Sequence, residues 1–197
     1  MTRRQLIRGA LVGVIAVALG WALMASLARL LRPAAQQPAP VQPAQQATPA
    51  PSPAVPRIKA TLFFASEDGR RLVPVEQEIP LAEGTLGQAR ALVEAQLSTV
   101  PPAPYVSAIP EGTKLRSLFV SDRNEAFVDL DATVRDKHPG GSMNELFTVY
   151  AIVNAVTTNV RDVQSVQLLI DGREAETLAG HVDLRRPLRK NEGLITQ

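Results

Sequence analysis

The chain has 197 residues, with 21 Lys and Arg against 19 Asp and Glu, 16 prolines and no cysteine. That length holds one ordinary domain and an appendage, and the missing cysteine excludes disulfides, thiolate metal sites, a cysteine nucleophile and a lipid-modified cysteine. The net charge of +2 is unevenly placed: residues 1–32 carry five arginines and no acid, so residues 57–197 set the other 16 basic side chains against all 19 acids. The basic balance therefore does not describe a basic globular surface, and nucleic-acid binding, which is not expected, loses its main support.

Arg3, Arg4 and Arg8 precede an apolar run from Gly9 to Ala28 in which only Ser26 is plainly polar. As a helix this run spans about 30 Å, the thickness of a hydrocarbon core. It predicts a transmembrane anchor within residues 1–32, over about residues 9–31, with the N-terminus cytoplasmic and the bulk of the chain in the periplasm or extracytoplasmic space. The alternative is a twin-arginine-like export signal cleaved after Ser26-Leu27-Ala28, which gives the same compartment. Residues 33–56 hold eight Pro, seven Ala, five Gln and no charge. They predict a disordered, proline-rich linker that reaches up to about 70 Å when extended.

From residue 57 the pattern becomes that of an α+β unit. Ile58–Ala65 and Leu72–Ile79 read as strands around the turn Glu67-Asp68-Gly69-Arg70, and Pro74 makes the second an edge strand. Thr85-Leu86-Gly87-Gln88 reads as a capping box that opens a helix with Leu86, Ala89, Val93 and Leu97 on one face. Prolines 101, 102 and 104 end it, and a loop runs to Thr113. Leu115–Val120 and Ala126–Leu130 form a second hairpin. Ser142-Met143-Asn144-Glu145 reads as another capping box, opening a helix so apolar that it forms the centre of the core. Val166–Ile170 is a buried strand, turned back by Asp171-Gly172 toward Ala175–Leu178. The order ββαββαβ predicts a mostly antiparallel sheet with two helices packed on one face.

Three phrases, Ser107-Ala108-Ile109-Pro110-Glu111-Gly112-Thr113, His138-Pro139-Gly140-Gly141-Ser142 and Thr148-Val149-Tyr150-Ala151-Ile152-Val153-Asn154, resemble the GerMN domain of sporulation and spore germination. So does the closing run from Asp171-Gly172 through Glu176 to Leu184. The resemblance covers residues 57–188 and leaves 189–197 as a C-terminal tail. It implies a fold like the ring-building modules of secretion and sporulation machines, and a non-enzymatic scaffold role in envelope assembly. Many such proteins are lipoproteins; this chain has no cysteine and offers an apolar helix in its place.

The residues leave rival chemistries open. Asp129, Asp131, Asp136 and His138 could hold a hard cation or run acid–base chemistry, or could be strand-end and turn residues. His181 with Asp183 is a second pair that could serve a site. Tyr105, in the proline-bordered loop, is a candidate contact residue, and the other aromatics read as core. Arg185, Arg186, Arg189 and Lys190 form a basic cluster, either solvated or in contact with anionic wall polymer or lipid. No catalytic, metal or cofactor motif is present. The expected partners are the membrane, other envelope proteins or a second copy, and peptidoglycan. An extracytoplasmic module binding a small molecule or wall glycan is the alternative, followed by a wall hydrolase.

Overall fold

The computed structural model describes residues 56–195, and the predicted anchor and all of the linker but Pro56 lie outside them. Among the described residues no helix is long and apolar enough to cross a membrane. The elements run β1 (Arg57–Ala65), β2 (Leu72–Pro80), α1 (Gly84–Ser98), β3 (Leu115–Val120), β4 (Glu125–Leu130), a single-turn α2 (Thr133–Asp136), α3 (Ser142–Asn159), β5 (Ser165–Ile170), β6 (Arg173–Glu174), β7 (Leu188–Arg189) and a 3₁₀ turn at Glu192–Leu194.

The predicted single, mostly antiparallel sheet is instead two sheets, and the larger is mixed. β1 and β2 form an antiparallel hairpin of their own, while β3, β4, β5 and β6 follow in order and β7 also pairs with β5. β4 and β5 run parallel from Glu125↔Ser165 to Leu130↔Ile170. A parallel pair needs a crossover, and α2 with α3 supplies it. The return strand expected at Ala175–Leu178 is only the pair Arg173–Glu174. It follows a turn in which Asp171 and Gly172 both have positive φ (52° and 74°), the signature of a type I′ hairpin.

α3 is apolar on nearly every side, as expected. Phe147, Val149, Ala151, Ile152, Val153, Ala155 and Val156 are all buried, and the helix packs on β1, β5, β7 and α1. α1 buries Ala89, Leu92, Val93 and Gln96, a stripe at i, i+3, i+4, i+7. The stripe is rotated from the expected one, and Leu86 is 47% exposed. Phe119, expected in the core, is also out, 61% exposed and tilted against Phe127.

Side-chain amides from the helices hold the β1–β2 hairpin. Thr61, Phe63 and Ala65 turn their backbone groups away from β2. Asn159 of α3 accepts from Thr61 N–H and donates to its carbonyl (both 2.8 Å). Gln96 of α1 does the same for Phe63 (2.9 and 2.8 Å), and the Val106 backbone pairs with Ala65 (2.9 and 3.0 Å). Two amides and one loop residue thus stand where a third strand would run. The register then leaves residues 74, 76, 78 and 80 facing the open edge of β2. Two of these are prolines without an N–H, which supports the edge position expected from Pro74.

The same device holds the end of the described chain. Asn154 donates to the Asn191 carbonyl and accepts from its N–H (3.2 and 2.9 Å), and Ile195 bridges to Leu72. Residues 189–195, expected as a tail, are therefore part of the fold.

Candidate functional site

Neither capping box forms. Thr85 donates its hydroxyl to Asp162 (2.8 Å), and Gln88 accepts from Ala82 N–H (3.2 Å). At α3 the N-cap is Gly141, with φ 86° and no side-chain cap. Gly140 before it has φ 79°, and two consecutive left-handed residues explain the Gly-Gly of the phrase His138–Ser142. This corner aims α3 across the loop that follows α1.

The three phrases meet at that corner. His138 Nδ1 accepts from Gly140 N–H (3.0 Å), which places the ring proton on Nε2, 3.1 Å from the Thr148 hydroxyl. Thr148 in turn shares its one hydroxyl proton between the carbonyls of Ala108 (2.5 Å) and Asn144 (2.9 Å). A residue of each phrase is thus bonded to the next, and the loop Val106–Pro110 is fixed to α3. Ser107 stiffens that loop from within: it accepts from Ile109 N–H (3.2 Å) and donates to the Ile109 carbonyl (3.0 Å).

Beside this junction lies an open groove of about 410 Å³ between the β1–β2 turn, the loop and the start of α3. Val106, Ile109, Pro110, Pro139 and Phe147 give it an apolar lining, and Glu67 and Glu111 are its ionisable side chains among the described residues. It sits past Ala65, at the far end of β1 from Arg57, about 27 Å along the strand.

On the opposite flank of the α3 N-terminus, Glu145 is fully buried. Its Oε1 accepts from Leu178 N–H (2.8 Å), and its Oε2 accepts from His181 N–H (2.8 Å) and lies 3.0 Å from His181 Nδ1. Burial alone would raise this carboxyl; the N–H groups of Ala179, Val182, His181 and Leu178 overcome that and hold it below the usual carboxylate range. The residue expected to cap α3 therefore turns inward and ties down the loop 176–184. Gln167 adds a bond from its amide to the Leu184 carbonyl.

The sequence-derived site residues are scattered among structural bonds. Asp129, 4% exposed, accepts from Gly172 N–H (2.7 Å) and pairs with Arg116 (3.2 Å). Asp131 accepts from Lys114 N–H (3.0 Å) and the Thr133 hydroxyl (2.9 Å). Asp136 pairs with its neighbour Arg135 at the surface. His138 belongs to the groove junction, whereas His181 joins Glu145 and not Asp183, whose partner is Arg185 (2.9 Å). Tyr105 is partly buried against the core, and its neighbour Val106 is 50% exposed. Lys190 pairs with Glu192, so two of the four basic cluster residues have carboxylate partners. Among the described residues no three His, Asp or Glu side chains converge as a metal site.

Sequence reasoning missed Glu145, Glu67, Glu111 and the clamps Gln96, Asn154 and Asn159. For Gln96, Asn154 and Thr148 a signal existed: each is a polar residue on a helix surface otherwise occupied by Leu, Val, Ile and Ala. Such positions ask for a buried hydrogen-bond partner.

No curated protein matches the chain. Among solved structures, the tandem GerMN domains of the sporulation protein GerM from Bacillus subtilis align at TM-score 0.54 and 17% identity, over 68% of this chain and 46% of that one. The first GerMN domain of the same protein aligns at TM-score 0.50 and 16% identity, over 68% of this chain and 96% of that one. A candidate lipoprotein from Clostridium perfringens aligns at 0.49 and 20%, over 71% and 91%. Residues 61–176 match the Germane family, described as sporulation and spore germination. The chain belongs to that family, and its described part is a GerMN-like domain.

Proposed function

We propose that this protein is a membrane-tethered, extracytoplasmic interaction module that docks envelope proteins through the groove beside Val106, without bond chemistry of its own. The observation that carries the reading is the convergence of the three GerMN-like phrases on one junction, which sets the lining of that groove. The groove lies at the end of β1 remote from Arg57, where the chain from the predicted anchor and linker enters. The suspected catalytic groups support the reading too. Asp129, Asp131 and His138 are each engaged by neighbouring backbone or side chains.

The test is in-cell crosslinking of the full-length protein, followed by sizing and identification of what is trapped. Discrete adducts with itself or with envelope proteins, lost when residues 9–31 are replaced by a cleavable export signal, are the expected result. A monomer without reproducible neighbours would sink the reading.

A further inference from the structure

The groove combines an apolar lining with acceptors that lack internal partners. Val106 is half exposed at its side, and Ile109 and Phe147, 5% and 2% exposed, close its floor. Glu67 and Glu111 are exposed, and neither carboxylate takes part in an ion pair or hydrogen bond among the described residues. Arg70 and Arg71 are not part of the groove lining, and Lys137, whose ammonium donates to the Glu111 carbonyl (3.3 Å), reaches that residue's backbone and not its carboxylate. Asn144, also in the lining, donates one amide N–H to the Gly140 carbonyl (2.8 Å). An occupant must bring apolar surface and positive donors together.

We infer that the groove accepts a short peptide segment of a partner protein in which an apolar side chain is flanked by Lys or Arg. This rests on the docking function proposed above. The groove volume falls near the lower end of ligand clefts, about 300–1,000 Å³, which suits a few side chains of an extended segment better than a helix. The apolar side chain covers Val106 and the floor, and the flanking cation meets Glu67 or Glu111. Acidic segments are turned away by the same two carboxylates.

A photoreactive amino acid in place of Val106, in the full-length protein in its cells, tests this, with the same group in place of Phe119 as a second reporter. The expected adduct at position 106 is a segment carrying Lys or Arg within about three residues of the trapped apolar side chain. The double charge reversal Glu67→Lys/Glu111→Lys should lower its yield about tenfold, whereas Glu94→Lys on α1 leaves it unchanged. Reversing the partner's basic residue to Glu should restore the yield in the doubly reversed protein. An adduct that is acidic or uncharged, or whose yield ignores the reversal, overturns the peptide chemistry while docking in the groove stands. Adducts at position 119 alone, or at neither position, overturn the groove as the docking site.

Discussion

Glu145 has no exposed surface, yet its carboxylate is surrounded by backbone N–H groups from a loop more than thirty residues away. Glu145→Ala orphans those donors and leaves a void, and should cost about 3 kcal/mol, read as a lower denaturation midpoint in urea. Because this carboxyl is held below the usual range, its contribution is complete above the unfolded-chain value of about 4.3 and fades as pH falls through the lower folded value. Asp68, held low by the Ser66 hydroxyl, and Asp183, held low by Arg185, act in the same direction. Both persist in Glu145→Gln, so that variant should lose melting temperature less steeply than the parent below about pH 4.5. Equal acid slopes would show that Glu145 does not set the limb. Thr148→Val keeps the shape but removes the hydroxyl between His138 and Ala108. A loss of about 1–3 kcal/mol is expected, together with faster amide exchange in the loop 106–110.

At the scale of elements, the hairpin β1–β2 is held to the rest by helix side chains. Gln96→Leu leaves the N–H and carbonyl of Phe63 buried without partners, so about 2–4 kcal/mol should be lost despite the gain in hydrophobicity. A neutral or stabilising effect in thermal melts would contradict the clamp. The open edge of β2 shows the converse. Pro74→Val restores an N–H there, and should promote self-association measurable by sedimentation at high concentration. Most elements were legible in the sequence because their signals are local: alternation in β2, the apolar surface of α3, the Asp171-Gly172 turn. The split into two sheets was not, since strand runs do not say which edge a distant Gln or Asn occupies. The capping boxes failed for a related reason. Ser-x-x-Glu is a local match, but backbone donors of a distant loop, the N–H groups of Leu178 and His181 among them, compete for the same carboxylate and win.

For the whole molecule, the end of the described chain is structural. β7 pairs with Ser165 and Val166, Asn154 grips Asn191, and Leu194 and Ile195 pack on the core. Removing residues 189–197 should therefore lower the melting temperature by several degrees, whereas a dispensable tail would leave it unchanged. The site was less legible than the fold. The phrases that mark the groove junction could be read directly, but Glu67 comes from a hairpin turn and Glu111 from a loop 44 positions later. The Ala65–Val106 pairing brings those two segments together.

β1 also has a mechanical meaning. It runs from Arg57, the first strand residue of the described domain, to Ala65 beside the groove, so tension applied between those two points would run along its axis. All nine rungs from Arg57↔Pro80 to Ala65↔Leu72, and the amide clamps at Thr61 and Phe63, lie across that axis. They are loaded together in shear, because the hydrogen bonds of an antiparallel pair stand perpendicular to its strands. Peeling would break them one by one; a pull in this direction has to break them as a set.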